Sequence, residues 1–331
     1  EFAEDHIVGA INCPSLNDAE RERVGTLYKQ VSPFDANKIG AALVSENIAR
    51  HIRERFMDKP RTWRPLVYCW RGGSRSGALA HVLAQIGWKT GRLDGGYRAY
   101  RRTVIADLES IPSTLGLKVV CGMTGTGKSR LLRAIAAAGG QVLDLEALAA
   151  HRGSVLGDLP DAPQPSQKMF ESRIWHALKH MNLARTIFVE AESKRIGRLR
   201  VPEALIKRMW ESQCLRVDAA MSVRIAILRE EYGHFLGSAD DLMDKLEHLV
   251  PLHGRSRIDG WRELAESGAW DAVVEDLLVK HYDPAYRRST VSHYPDLDRA
   301  SSVEVTATDA SHFDALARSC VEHKAETATS A

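Results

Sequence analysis

Apolar positions along this chain fall into two alternating kinds of run. Pro65-Leu66-Val67-Tyr68, Leu117 to Cys121, Gln141-Val142-Leu143 and Thr186-Ile187-Phe188-Val189 are short and nearly continuous, and read as strands. Segments with helical spacing lie between them. Leu79, Val82, Leu83 and Ile86 share one face after the first strand, and Leu131, Leu132 and Ile135 follow the second. From Asp35 to about Lys59 a longer helix is expected, with Ala41, Val44, Ile48, Ile52 and Phe56 on one side and Glu46, Arg50, Arg53 and Glu54 on the other. Strands alternating with helices predict an α/β protein with parallel sheets. Ile111-Pro112-Ser113-Thr114 breaks the pattern, so residues 1–107 and 117–294 are read as two domains joined by a linker over 108–116. Residues 295–331 are rich in Ser, Thr and Ala and are expected to be weakly ordered.

The loops after two of these strands carry the candidate chemistry. After the first comes Cys69-Trp70-Arg71-Gly72-Gly73-Ser74-Arg75-Ser76. A thiol at a strand end, facing a helix N-terminus and the Arg75 guanidinium, is placed to ionise below the free value of about 8.5. The N–H groups from Arg71, Gly72, Gly73 and Ser74 to Ser76, freed by the two glycines, form a cradle for an oxyanion. A buried cysteine after a strand is commonly inert packing, but the Gly-Gly and Arg-Ser spacing favours a reactive one. Five residues separate Cys69 from Arg75, which also suits a phosphatase loop around a tetrahedral phosphate.

After the second strand, Gly122-Met123-Thr124-Gly125-Thr126-Gly127-Lys128-Ser129 fits Gly-x4-Gly-Lys-Ser in full and opens a helix, the context of a P-loop. Backbone N–H groups at Gly122, Thr124, Gly125, Thr126 and Gly127 would cradle a diphosphate. Lys128 supplies charge and Ser129 can hold magnesium. Asp144, Glu146, Glu190 and Glu192 stand at the C-terminal ends of the next strands, the edge where open α/β sheets bind ligands. They are candidates for acid or metal-supporting roles, against the plainer reading of solvated strand ends.

Composition narrows the setting. The chain has 331 residues, enough for two domains, and 44% of them are hydrophobic, enough for two cores. No apolar run is long enough for a membrane span, and no signal peptide is read. Five cysteines without a Cys-x-x-Cys pair argue for reduced thiols in the cytoplasm and against a zinc site, and the 13 histidines show no ligand spacing, so no metal ligand set is assigned. A net charge of only +2 does not by itself require nucleic acid. Its distribution says more. Lys194, Arg195, Arg198 and Arg200, continued by Lys207 and Arg208, follow directly on the acidic strand end, a stripe suited to an RNA backbone or else a solvated face. Arg50, Arg53, Arg55, Lys59, Arg61 and Arg64 form a second basic cluster with the same two readings.

The cysteine loop resembles that of rhodanese domains, which carry a chalcogen on their cysteine. Lys89 to Tyr97 and the opening Glu1-Phe2-Ala3-Glu4-Asp5-His6-Ile7-Val8-Gly9-Ala10-Ile11-Asn12 extend the likeness. In that family a short Asp-x-Arg strand comes first; this chain starts after it without an initiator methionine and is expected to be a fragment. With the P-loop, Leu148 to Ser154, Gln164 to Glu171 and Tyr282-Asp283-Pro284-x-Tyr286-Arg287, the whole chain resembles the bacterial tRNA 2-selenouridine synthases. That family reads Glu-Asp-Glu-Ser where this chain has Glu190-Ala191-Glu192-Ser193, so no acid role falls on position 191.

The resemblance implies a rhodanese-like domain followed by a P-loop NTPase-like α/β domain with a helical C-terminal part. It implies a selenotransferase that converts wobble 2-thiouridine in tRNA to 2-selenouridine through S-geranylation. Selenophosphate and geranyl diphosphate would be co-substrates, with no tightly bound cofactor and magnesium as a candidate ion. Cys69, Arg75 and Lys128 would be catalytic; tRNA and the enzyme that makes selenophosphate would be partners, with no membrane involved. Alternatives are a Cys-x5-Arg phosphatase or thiosulfate sulfurtransferase fused to a small-molecule kinase, and a non-catalytic, nucleotide-gated tRNA-binding protein.

Overall fold

A computed structural model describes residues 1–71, 73–154, 156–159, 162–233 and 239–322. The chain divides into two units, Glu1–Ala106 and Asp107–Ala331.

In the first unit, α1 (Asp18–Gln30) starts at a capping box. The Asn17 side chain accepts from the Glu20 N–H at 2.8 Å, and the Glu20 carboxylate accepts from the Asn17 N–H at 2.9 Å. α2 (Pro33–His51), capped by Ser32 with Pro33 in its first turn, continues into a π-helical turn over Ile52–Phe56. The expected helix over Asp35 to Lys59 therefore starts two residues earlier and widens before its end. β1 (Leu66–Val67) leads through the cysteine loop into α3 (Ser74–Ile86), and β2 (Gly91–Arg92) returns parallel to β1. α4 (Gly96–Ser110) follows. Ile48, Phe56, Val67, Leu79, Leu83 and Trp88 make the core. Ile86, expected on the buried face of α3, is half exposed, because the helix ends at Gly87 before its last turn is covered.

The segment read as a linker is packed. α4 runs to Ser110, a 3-10 turn covers Ile111–Thr114, and Leu108, Pro112 and Leu115 are buried. The Arg208 guanidinium donates twice to the Leu115 carbonyl, at 2.9 and 2.7 Å.

The second unit is built on β3 (Leu117–Cys121), α5 (Lys128–Ala137), β4 (Gln141–Leu143), α6 (Leu145–Ala149), α7 (Gln167–Lys179) and β5 (Ile187–Glu190). A hairpin, β6 (Arg195–Ile196) with β7 (Leu199–Arg200), precedes α8 (Glu203–Trp210), β8 (Gln213–Ala219) and α9 (Met221–Glu231). The helical part follows as α10 (Ala239–Leu246), α11 (Val250–His253), α12 (Arg255–Glu266), α13 (Trp270–Leu277) and α14 (Asp283–His293), around Leu242, Leu246, Ile258 and Trp261. Last come β9 (Ser301–Val305) and α15 (Ala310–Glu322).

All pairs in the main sheet are parallel, in the order β4-β5-β3-β8-β9. Val120, Phe188, Leu215 and Val217 face α5 and α15 on one side, while Leu117, Val119, Ile187 and Val189 are buried as well. Both faces are covered, as a parallel sheet requires. The chain leaves β3 toward β4 on one side and later reaches β8 on the other. The loop after β3 thus lies at the switch point where such sheets bind ligands.

The weakly ordered tail is a correction. β9 pairs with β8 over five residues, and Phe313 and Ala317 of α15 are buried against α5. Val303 and Val305 alternate with polar residues, and polar residues surround the α15 stripe of Phe313, Leu316, Ala317, Cys320 and Val321, so the Ser- and Thr-rich average conceals both. Residues 323–331 lie outside the described ones.

Candidate functional site

The cysteine loop occupies the junction of β1 and α3. The Cys69 Sγ is half-buried, accepts from the Ser76 hydroxyl at 3.3 Å and donates to the Arg71 carbonyl at 3.3 Å. Burial pushes the thiol up. Hydrogen bonds from the Ser76 hydroxyl and the Ser76 and Gly73 N–H groups, with the Arg75 charge, outweigh it and hold Cys69 below its ordinary value. Gly73 takes φ +76° at the N-cap of α3, the left-handed turn that aims the following N–H groups back at the sulfur. Gly96 is needed for a different reason: a Cβ there would come within 2.6 Å of the Cys69 carbonyl, which accepts the Tyr97 N–H at 3.1 Å. Trp70 stacks on Tyr97 at 3.8 Å, and the Tyr97 hydroxyl donates to buried Asp5 at 2.7 Å. Arg75 pairs with Glu1 at 3.0 Å, so its charge acts on the thiol while its fork is held by a carboxylate. Arg71 and Ser74 are exposed at the loop rim; Gly72 is outside the described residues.

The P-loop follows β3, with Gly125 and Gly127 at φ +82° and +84°. Gly122 has no room for a side chain, since a Cβ would meet the Val217 carbonyl at 2.5 Å. Thr126 is buried, its hydroxyl donating to the Met123 carbonyl at 2.9 Å. Lys128 donates to the same carbonyl at 3.2 Å and lies 3.5 Å from Glu190, whose other oxygen accepts from Ser129 at 3.0 Å. The Thr124 carbonyl accepts from Arg224 at 2.9 Å, and buried Arg224 forms a two-pronged pair with Asp283 at 3.0 and 2.5 Å. A buried fork of this kind holds the loop in place. No role was read for Arg224 in the sequence; Asp283 lay in a quoted motif without one.

Glu190 ends β5 and Glu192 lies two residues beyond it. Together with Glu146 of α6 they bring carboxylate oxygens within 4.8 Å of one another. Burial, then the neighbouring acid Glu190, pushes Glu146 up to about 9, and burial with Glu146 and Glu190 raises Glu192 well above the usual range. Asp144 begins α6 rather than ending a strand; its carboxylate caps the helix, accepting the Ala147 N–H at 2.8 Å. A cavity of about 570 Å³ opens over Lys128, Ser129, Asp144, Glu146, Glu190 and Glu192. His151 lines it as a positioning group, its Nδ1 facing the Gly153 N–H at 3.0 Å, and a Cβ on Gly153 would touch Glu146 at 2.7 Å.

The basic stripe divides. Lys194 lies 5.3 Å over the Trp210 ring. Arg195 and Arg200 face solvent as a pair on the β6–β7 hairpin. Gly197, at φ +56°, takes the first corner of a two-residue turn. Arg198, at the second, is committed elsewhere: its guanidinium donates to the Gln164 and Pro165 carbonyls, and its N–H to the Gln164 side chain at 2.9 Å. Arg208, with its two bonds to Leu115, is likewise structural.

The family model described as the tRNA 2-selenouridine synthase AAA domain matches residues 115–248, and that of the rhodanese-like domain matches residues 1–103. A tRNA 2-selenouridine synthase of Nitrosomonas europaea is 35% identical over 236 residues, 70% of this chain and 61% of that protein. Proteins of the same name from Marinobacter nauticus and Hydrogenovibrio crunogenus are 35% and 38% identical, each over 86% of this chain and over 84% and 85% of their own lengths. No solved structure gives a significant match.

Proposed function

Since this chain belongs to the tRNA 2-selenouridine synthase family, we propose that it is a transferase that replaces sulfur by selenium in a 2-thiouridine at the tRNA wobble position. It does so in two steps. In the first, the thiocarbonyl sulfur attacks the first carbon of geranyl diphosphate; the carbon–oxygen bond breaks, diphosphate leaves, and the ring nitrogen gives up its proton. In the second, selenium of selenophosphate adds at the same base carbon and the geranyl thiolate departs, while the phosphorus–selenium bond breaks and the phosphoryl group passes to a nucleophile and then to water, leaving as phosphate. A thiocarbonyl sulfur leaves poorly, and alkylation makes it a good leaving group.

The P-loop holds the diphosphate, and Lys128, inside the cavity, stabilises the charge that grows as it departs. Glu146, Glu190 and Glu192 suit a divalent cation: three clustered carboxylates face one lysine, an excess of acid that such an ion would balance. Magnesium held there would supply further charge to the diphosphate oxygens. The cysteine loop receives selenophosphate, its phosphate on the α3 N-terminal N–H groups with Arg75; the Cys69 thiolate attacks phosphorus, the phosphorus–selenium bond breaks, selenium passes to the base without a change of oxidation state, and water frees the phosphate from the cysteine. The cytoplasm is the fitting compartment for tRNA and selenophosphate, and the enzyme that makes selenophosphate is a candidate partner.

The observation that carries this reading is the half-buried Cys69 sulfur, held toward thiolate by Ser76 and the α3 N-terminus on a chain that also bears a complete P-loop. Cys69→Ser should abolish 2-selenouridine while S-geranyl-2-thiouridine accumulates, as nucleoside mass spectrometry of the reacted tRNA would read. Undiminished selenation by the variant would overturn the assignment of Cys69.

A further inference from the structure

Beside the polar cavity over the P-loop lies a second cavity of about 70 Å³, walled by Leu156, Leu228, Leu242, Trp270, Val273 and Leu277. It sits between α9 and α13, two helices packed against each other, and most of its wall belongs to the core of the helical part. Thr124, Ser154, Leu228, Tyr232 and Tyr282 line both cavities, so the two adjoin, and Thr124 is itself a P-loop residue.

Three polar groups at this boundary are already committed. The Ser154 and Tyr232 hydroxyls lie 3.4 Å apart, and the Thr124 carbonyl is held by Arg224. Arg229, the one cation among the described residues of the wall, pairs with Asp271 at 2.9 Å. Past the boundary, Arg229 and the Trp270 ring nitrogen aside, the described wall is carbon. A nucleoside placed there would lose hydrogen bonds from its base and ribose and gain no partners, which is unfavourable. A hydrocarbon chain loses nothing and removes apolar surface from water.

We propose that this cavity is the tail subsite of a prenyl diphosphate: the diphosphate lies in the P-loop, and the branched unsaturated chain runs past Tyr232 and Tyr282 between α9 and α13. The proposal rests on reading the P-loop as a diphosphate site and adds where the chain is recognised. It would also give a loop that reads only phosphates a basis for preferring a prenyl diphosphate to a nucleotide. The first carbon of the chain falls at the boundary of the two cavities, on the side of the larger one, where a tRNA base can approach it.

Binding of inorganic diphosphate, geranyl diphosphate and ATP is to be measured by calorimetry in magnesium buffer for the full chain, for Lys128→Ala and for Val274→Trp. Val274 lines the cavity but is only partly buried, so an indole there can fill the space without displacing the fully buried Val273. In the unaltered protein geranyl diphosphate should bind on the order of a hundredfold more tightly than diphosphate. Val274→Trp should remove that advantage and leave diphosphate binding unchanged, which also reports that the variant is folded. Equal affinities for diphosphate and geranyl diphosphate, both lost in Lys128→Ala, would overturn the tail subsite while the diphosphate reading stands; that comparison needs no cavity variant. Tight ATP binding with no binding of geranyl diphosphate would overturn both. Full retention of the advantage in a folded Val274→Trp would move the tail elsewhere.

Discussion

At the residue scale the proposed chemistry rests on two side chains, Cys69 and Glu146, and each has a measurable acidity. The Ser76 hydroxyl, 3.3 Å from the Cys69 sulfur, favours the thiolate. A hydrogen bond to the charged form favours it, so Ser76→Ala should move the thiol's titration to higher pH. Alkylation by iodoacetamide as a function of pH, with Cys69→Ser as the blank, measures this; an unmoved curve would assign the acidity to the helix N–H groups and the Arg75 charge. Glu146 works in the opposite sense. Its folded value of about 9 stands above its ordinary 4.5, so between these limits the folded protein binds more protons than the unfolded chain. Stability therefore falls as pH rises through that window. In chelator, the Tm of the unaltered protein should drop from pH 5 to pH 9 more steeply than that of Glu146→Gln. Magnesium should restore more at pH 8 than at pH 6, because binding must displace the proton. Parallel Tm curves for the two proteins would show that Glu146 does not titrate there.

At the scale of elements, the parts that announce themselves by local pattern were legible and the parts held by distant contacts were not. Gly-x4-Gly-Lys-Ser between an apolar strand and a helix gave the P-loop, and Cys69 followed by Gly-Gly gave the other loop, because each is a continuous stretch whose glycines have a backbone reason. Arg224 and Asp283 stand 59 residues apart, and only folding joins them under Thr124. Arg198 read as a free cation because its partners are backbone carbonyls, which no sequence displays. The C-terminal strand and helix were missed through composition, yet the Phe313 ring lies against the P-loop: a Cβ on Gly127 would meet it at 2.8 Å. α15 is thus part of the wall that holds the loop. Phe313→Ala should cost about 3–5 kcal/mol in urea unfolding, as a fully buried aromatic does. A loss well under 1 kcal/mol would return the segment to the status of a tail.

For the whole molecule the question is how a chain of net charge +2 would hold a tRNA, as the proposed function requires. Local concentration of charge would do so, and the hairpin offers the clearest candidate. Arg195 and Arg200 are cross-strand neighbours on β6 and β7, both exposed, a like-charged pair that costs stability unless an anion lies across it. Arg198, between them in sequence, spends its guanidinium on the Gln164 and Pro165 carbonyls and serves the shape of the turn. The two kinds of arginine should separate in a binding titration. Arg195→Ala should weaken every tRNA alike and flatten the salt dependence by just under one unit of slope, since each phosphate contact contributes about 0.9. Arg198→Ala should leave the slope nearly unchanged and lower the Tm instead. Unmodified tRNA titrated at several salt concentrations, with melting curves for both variants, decides it. An unchanged slope in Arg195→Ala would move the phosphate path from the hairpin to the cluster of Arg50, Arg53, Arg55, Lys59, Arg61 and Arg64, where the same substitution series applies.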